Sequence, residues 1–129
     1  MFKITPIQEK SRQKEICELF NVEFRPETFA YLMYDAGTND IMGMSQFEVS
    51  EYGYIFDIRE YGDKDDFEAM FILTRATMNF IDLCGAHTCK AAKFSADKRL
   101  LVSAGFKDID GEYFCDMTGM FDGKCDCVK

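Results

Sequence analysis

The sequence has no tryptophan, a single histidine, only two prolines and no long apolar segment. No apolar run approaches the ~20 residues that a membrane-spanning helix needs. The opening MFKITPIQEK lacks the basic-then-apolar pattern of a secretory signal. We therefore expect a cytoplasmic protein whose six cysteines are free thiols. Both prolines lie near the N-terminus, and no repeat, low-complexity segment or linker follows them, so we predict a single domain over residues 1–129.

Basic residues are also few, with 15 Lys and Arg against 23 Asp and Glu, which gives a net charge of −8. Such a surface repels phosphate backbones and anionic lipids, so we expect neither nucleic-acid nor membrane binding. It favours a cationic small molecule or a basic protein segment. The 13 Phe and 6 Tyr are interpreted as core and sheet packing, because an aromatic platform for nucleic acid needs a basic groove.

The first half of the chain predicts a strand, a helix and three more strands. FKITPI alternates like an edge strand, and QEKSRQKEICELF has helical spacing. FAYLMYDA, IMGMSQFEVS and YGYIFDIREY follow with short turns between them, which indicates an antiparallel meander. In the third of these strands, strict alternation assigns the side chains to two faces: Tyr52, Tyr54, Phe56 and Ile58 on one, and Ile55, Asp57 and Arg59 on the other.

The second half predicts a long buried helix, a strand, a shorter helix and a hairpin. The long helix is DDFEAMFILTRATMNFIDLCG, with Leu83 on its apolar face and Gly85 as its C-terminal stop. HTCKAAKF is the strand, SADKRLLVSAG is the second helix, and Asp110-Gly111 is a tight-turn pair. The order β-α-β-β-β-α-β-α-β-β predicts an α/β (α+β) fold with a mixed central sheet.

The cysteines around the single histidine raise the question of a metal site. The candidate ligands are Cys84, His87, Cys89, Cys125 and Cys127. Their spacing fits no common zinc knuckle, so we predict no metal. We interpret Cys84 and Cys89 as small core residues and His87 as a partly exposed strand residue. A second interpretation remains open, in which His87 and Cys89 line an acyl site and the thiol is reactive.

The element order and the segment KRLLVSAGFKDIDGEYFCDM together resemble the GNAT superfamily of acyl-CoA N-acyltransferases. Its members carry a short helix of the pattern Asn-x-x-Ala-x-x-Leu-Tyr-x-x-x-Gly-Phe, then a closing hairpin. Leu100, Gly105 and Phe106 match the Leu, Gly and Phe of that pattern. The resemblance implies a GNAT-like sheet, with acetyl-CoA or a related acyl-CoA as donor and a small-molecule or peptide amine as acceptor.

The resemblance also implies where the donor binds. Its pantetheine arm would lie between the splayed strands on either side of the central helix, and its pyrophosphate at the start of that helix. The family's loop motif, Gln/Arg-x-x-Gly-x-Gly/Ala, has two registers here: REYGDK, with Arg59 and Gly62, and KDDFEA, with Lys64 and Ala69. We prefer the second, because it leaves a central helix of usual length. The implied donor-binding residues are then Ile58, Arg59, Lys64, Asp65, Asp66, Phe67, Glu68 and Ala69, with Lys64 as the main phosphate contact.

Proton transfer and acceptor binding complete the expected site. In the family, the Tyr of the Leu-Tyr-x-x-x-Gly-Phe pattern is the general acid that protonates the leaving thiolate. Leu101 occupies that position here, so Ser103 and Tyr113 are the candidate general acids. Asp57 and Glu48 are the candidate bases, and the alternative is that both are solvated strand residues. Backbone N–H groups near residues 57–59 would polarise the thioester carbonyl. The segment NVEFRPETFA is too short for a second helix, which predicts an open acceptor side or one that a homodimer completes.

Three hypotheses therefore stand. The first is an N-acetyltransferase that uses acetyl-CoA. The second is a catalytically inactive module of the same fold, serving in binding or regulation; the missing glycines, Leu101 and the acidic loop favour it. The third is a thiol or metal protein that uses the Cys and His residues. Fold alone does not decide among them, because function resides in the site.

Overall fold

The computed structural model describes residues 1–121, and within them the predicted element order is confirmed in full. The first half contains β1 (Phe2–Pro6), α1 (Lys10–Phe20), β2 (Phe29–Asp35), β3 (Ile41–Val49) and β4 (Gly53–Glu60). The second half contains α2 (Phe67–Leu83), β5 (Thr88–Ala91), α3 (Lys98–Ala104), β6 (Lys107–Ile109) and β7 (Glu112–Asp116).

The strands form one seven-stranded sheet in the order β1-β2-β3-β4-β5-β7-β6. Within residues 1–121 only the β4–β5 pair is parallel, and α2 makes the crossover between these two strands, as the central strand–helix–strand pattern predicts. The closing hairpin turns at Asp110 and Gly111, both with positive φ (55° and 86°). That is the left-handed pair that a two-residue hairpin loop requires.

The helices cover both faces of the sheet. α1 packs on one face, where Ile16 and Cys17 contact Met44 of β3. The larger core lies on the opposite face, under α2 and α3. Gly53 allows close approach of β4 to α2, because an added Cβ would lie only 2.4 Å from Cγ2 of Ile81. Residues 21–28, between α1 and β2, contain no second helix. This agrees with the expectation that the segment is too short to form one.

Three details of the sequence prediction are wrong. Leu83 and Cys84 are exposed: Leu83 follows the buried Ile81 by two residues and so lies on the other side of α2, and Cys84 is the C-cap residue, where the helix ends. The strand predicted over HTCKAAKF ends at Ala91. The strict alternation assumed for β4 fails at Phe56, where a β-bulge adds one residue between the pairs Gln46–Asp57 and Phe47–Ile55.

The bulge changes which side chains share a face. Ile55 and Ile58 both reach the core under α2. Phe56 and Asp57 both point toward the α1 side, where Arg25 lies over the Phe56 ring and Gln46 bonds to Asp57. Sequence periodicity had placed Ile58 with Phe56 and Ile55 with Asp57.

Among residues 1–121, no helix is both long and apolar enough to cross a membrane.

Candidate functional site

The sheet opens between its two parallel strands. β5 pairs with β4 only from Gly53 to Ile55, whereas β4 continues to Glu60. Beyond the pairing, the chain after Ala91 bends over the C-terminal half of β4. Its backbone bonds to β4 at two points: the N–H of Ala92 donates to the carbonyl of Ile55 at 2.9 Å, and the N–H of Ile58 donates to the carbonyl of Ser95 at 2.8 Å. The bulge at Phe56 lies where the strands part.

A cavity of about 230 Å³ lies at this end of the sheet, between the C-terminal end of β4 and the N-terminal ends of α2 and α3. Apolar side chains from all three elements form part of its wall, beside several carboxylates. The lining residues are Ile58, Arg59, Glu60, Asp65, Asp66, Phe67, Met70, Ala96, Asp97 and Leu100. The cavity thus combines an apolar wall with the positive end of the α2 dipole, a combination suited to an elongated ligand that carries an anionic group.

Five of the eight donor-binding residues expected from sequence line this cavity, namely Ile58, Arg59, Asp65, Asp66 and Phe67. Lys64, Glu68 and Ala69 do not. The pKa of Asp35 is lowered chiefly by the backbone N–H groups of Gly37 and Thr38, and the Lys64 charge lowers it further. Lys64, which was expected to be the main phosphate contact, is therefore not part of the wall of this cavity.

Three backbone donors at or just before the start of α2 are bound by carboxylates of the chain itself. Glu60 accepts from the N–H of Asp65 through Oε1, at 3.0 Å, and from the N–H of Asp66 through Oε2, at 2.8 Å. Asp66 is the N-cap of α2 and accepts from the N–H of Ala69 at 3.1 Å. Sequence reasoning missed Glu60, because it follows the strand pattern, occupies an unspecified position of the REYGDK register and lies outside the preferred KDDFEA register.

Arg59 holds the segment that crosses the gap between β4 and β5. Its guanidinium donates to the carbonyl oxygen of Phe94 at 2.9 Å and to that of Ser95. It also lies 3.6 Å from Oδ1 of Asp57. The Ser95 hydroxyl is buried without a hydrogen-bond partner among the residues described.

Asp57 belongs to a buried polar network on the α1 side of the sheet. Its Oδ2 accepts from Nε2 of Gln46 at 2.9 Å, and its residue surface is only 7% exposed. Gln46 is fully buried; its Oε1 accepts from Nε2 of Gln13 at 2.9 Å and from the N–H of Arg25 at 3.0 Å. The thiol of Cys17 donates to the same oxygen at 3.4 Å. Asp57 is therefore a fixed carboxylate next to the point where β4 and β5 separate.

The other proton-transfer candidates are placed less favourably. Glu48 lies two residues beyond Gln46 on the same face of β3 and is half-buried. Tyr113 is buried in β7 opposite Ala91, the last residue of β5, so it is one strand away from the gap. Ser103 is exposed on α3. Neither hydroxyl residue lines the cavity, although Tyr113 is the nearer of the two to the β4–β5 gap.

The Cys and His residues that the structure describes do not converge on one site. Cys89 is buried, as predicted, and burial raises the pKa of its thiol, which disfavours the reactive thiolate. His87 is exposed, and its Nδ1 lies 2.7 Å from Oδ1 of Asp82. Within residues 1–121 there is no group of three or more metal-ligating side chains. Cys125 and Cys127 lie outside the described residues.

Solved structures share this architecture. The ribosomal-protein-S18-alanine N-acetyltransferase of Escherichia coli superposes with a TM-score of 0.65 at 13% identity, over 88% of this chain and 89% of that one. The chain has the GNAT acetyltransferase fold. A GNAT acetyltransferase of Brucella melitensis in complex with acetyl-CoA gives a TM-score of 0.67 at 11% identity, over 90% and 88% of the two chains.

A Bacillus subtilis acetyltransferase in complex with CoA gives a TM-score of 0.66 at 13% identity, over 90% of this chain and 99% of that one. No family sequence profile matches the chain, and no curated protein is detectably similar to it in sequence. The TM-scores of 0.65–0.67 establish the GNAT fold. Because the identities are only 11–13%, the chemistry has to be argued from the residues of the site.

Proposed function

We propose that the protein is an N-acetyltransferase that moves the acetyl group of acetyl-CoA directly to an amine. The observation that carries the proposal is the cavity at the gap between β4 and β5, next to the N-terminus of α2. It occurs in a fold whose solved examples include complexes with acetyl-CoA and with CoA.

The donor fits the cavity in its apolar part. Ile58, Phe67, Met70 and Leu100 offer a wall for the pantetheine arm. The N–H of Ile58 would donate to the thioester carbonyl in place of the Ser95 carbonyl that it now contacts. A donor fixed at that carbonyl stabilises the negative charge that develops on the oxygen during attack.

Asp57 is the proposed general base. The acceptor nitrogen attacks the thioester carbon from the α1 side of the sheet, the C–S bond breaks, and the thiolate leaves with the CoA. Asp57 takes the proton that the nitrogen loses, and the thiolate is protonated as CoA departs. No covalent intermediate on the enzyme is needed, because holding the two reactants together lowers the barrier by itself.

The acceptor is proposed to be a cationic small molecule or a basic peptide. The chain has a net charge of −8, and Glu48 and Asp57 lie on the face of the sheet from which the amine would approach. Such a surface raises the local concentration of cationic amines. With no second helix between α1 and β2, a second copy of the chain is the proposed cover for this side.

The test is amine-dependent release of CoA thiol. The protein is incubated with acetyl-CoA and, separately, with a polyamine, a lysine-containing peptide and a peptide with a free N-terminus, and products are identified by mass spectrometry. We expect release of the CoA thiol that depends on at least one of the amines. The mass of that amine should increase by one acetyl group, about 42 Da, because attack on the thioester and cleavage of the C–S bond transfer the acetyl group to it. Release without any acetylated amine, or no release, would refute the proposal.

A further inference from the structure

The carboxylate of Glu60 occupies the place where a donor phosphate would bind. Glu60 is the last residue of β4 and lines the cavity. Its two oxygens accept from two successive backbone N–H groups, those of Asp65 and Asp66, at 3.0 and 2.8 Å. A carboxylate and a phosphate compete for such donors, because both are anions that accept hydrogen bonds from paired N–H groups.

We propose that Glu60 is an internal competitor of the donor's diphosphate and so determines which acyl donors the protein accepts. The inference rests on the proposed acetyltransferase function and goes beyond it. Donors that end before the diphosphate need not displace Glu60, whereas acetyl-CoA has to move this carboxylate from its two N–H donors. The site therefore disfavours acyl donors that carry the diphosphate relative to donors that lack it.

The remaining charges around the loop support this assignment. Asp66 accepts from the N–H of Ala69, so a donor in the first turn of α2 is also bound to a carboxylate. Lys64 is not among the residues that line the cavity. Arg59 is the one basic residue among the described residues that line the cavity, and its guanidinium is bound to the carbonyls of Phe94 and Ser95. No ammonium group therefore offsets Glu60 in the cavity wall formed by the described residues.

The acyl end of the site is independent of Glu60. The donor carbonyl is assigned to the N–H of Ile58, whose present partner is the carbonyl of Ser95. Glu60 makes no contact with that pair. A substitution of Glu60 should therefore change the binding of the diphosphate and leave the binding of the pantetheine arm as it is.

The variant is Glu60→Ala, and the matched control is Asp63→Ala. Asp63 is exposed in the same loop and carries the same charge, and its side chain forms no hydrogen bond or ion pair with the described residues 1–121, so Asp63→Ala reports the effect of charge alone. The first measurement is hydrogen exchange at the amides of Asp65 and Asp66, followed by NMR in the absence of ligand. We expect exchange at both amides to accelerate about tenfold in Glu60→Ala and to stay unchanged in Asp63→Ala. Equal exchange in all three proteins would overturn the proposal.

The second measurement is calorimetric titration with three probes: acetyl-CoA, S-acetylpantetheine and inorganic pyrophosphate. We expect Glu60→Ala to bind acetyl-CoA and pyrophosphate about tenfold more tightly than both the wild type and Asp63→Ala do. The reason is that the N–H groups of Asp65 and Asp66 are then free to donate to the diphosphate. The affinity for S-acetylpantetheine should stay within about twofold, because that molecule has no diphosphate. An equal gain in Asp63→Ala, or an equal gain for S-acetylpantetheine, would overturn the proposal.

The outcomes separate this proposal from the acetyltransferase function. If no variant binds either acyl donor but Glu60→Ala gains pyrophosphate binding, Glu60 is the competitor and the acetyltransferase proposal fails. If the wild type binds acetyl-CoA as tightly as Glu60→Ala, the function stands and the role of Glu60 fails. If Glu60→Ala binds neither acetyl-CoA nor pyrophosphate, removal of the carboxylate has opened no anion site, and the role of Glu60 fails as well.

Discussion

The side-chain amide of Gln46 donates a hydrogen bond of 2.9 Å to the carboxylate of Asp57 on the neighbouring strand. Both residues are buried, and Gln46 also accepts from Gln13 and from the backbone N–H of Arg25. This one side chain therefore connects α1, the segment before β2, and the strand that borders the candidate site. The stability of the α1 side and the orientation of the proposed base both depend on it.

Replacing Gln46 by Leu should destabilise the protein by about 3 kcal/mol, because several buried polar groups lose their partner at nearly constant side-chain volume. Urea denaturation measures the change. Gln8→Leu is the matched control: Gln8 is exposed, and its substitution should change the free energy of unfolding by less than about 0.5 kcal/mol. Similar values for the two variants would show that the network adds little to stability.

Asp57→Asn should lower kcat about 100-fold once an acceptor is known, because the amide cannot take the proton from the attacking nitrogen. The amide keeps the shape of the side chain and an oxygen for Gln46, so the variant should still fold. Glu48→Gln is the comparison, since Glu48 lies on the same face of the sheet but outside the Gln46 network. A larger loss in Glu48→Gln than in Asp57→Asn would assign the base to Glu48 instead.

Gly53→Ala should destabilise the protein by about 1–3 kcal/mol through overpacking. The added Cβ would lie 2.4 Å from Cγ2 and 2.8 Å from Cδ1 of Ile81, in the contact between β4 and α2. Thermal or urea unfolding of Gly53→Ala, Ile81→Ala and the double variant tests the contact. The double variant should be more stable than the sum of the single effects predicts, because Ile81→Ala removes the clashing atoms. Additive effects would contradict this packing.

The stability should fall between about pH 9 and pH 11. Burial, with a smaller contribution from Asp57, raises the pKa of Cys17 from 9.0 to about 11, although Arg25 acts in the opposite direction. Between these two values the unfolded chain has lost the proton and the folded chain keeps it. The stabilisation is thus fully present below pH 9 and is lost as the pH rises toward 11.

Urea denaturation at pH 8, 9 and 10 measures this decline. In Cys17→Ala the decline should be smaller by about 1 kcal/mol over this range, since one of the thiols with a raised pKa is gone. Cys84→Ala is the control, because Cys84 is exposed. A pH dependence of Cys17→Ala equal to that of the wild type would show that this thiol does not titrate differently in the two states.

The element order follows from the sequence because each element carries its own local signal. Apolar spacing marks α2, and the left-handed pair Asp110-Gly111 marks the closing turn whatever the rest of the chain does. The bulge at Phe56 has no such signal. It depends on how β4 registers with β3, and it moves Asp57 to the side of the sheet where Gln46 lies.

The site was less predictable than the fold, for a similar reason. The family resemblance pointed to the loop before α2 and included five residues of the cavity wall. It gave no indication that Glu60 would turn back to bind the N–H groups of Asp65 and Asp66, because that contact depends on the path of the loop. The absence of Lys64 from the cavity wall is likewise a property of the folded loop.

The most direct test of the central claim is calorimetric titration of acetyl-CoA and of free CoA into the wild-type protein at two salt concentrations. The account predicts binding of both, weaker at the higher salt concentration because part of the attraction is between phosphates and the N-terminal end of α2. Competition from Glu60 should leave a Kd in the micromolar range, on the order of 10–100 μM. Absence of binding up to about 1 mM of either ligand would contradict the account, since the cavity between the C-terminal end of β4 and the N-terminal ends of α2 and α3 would then not be a donor site.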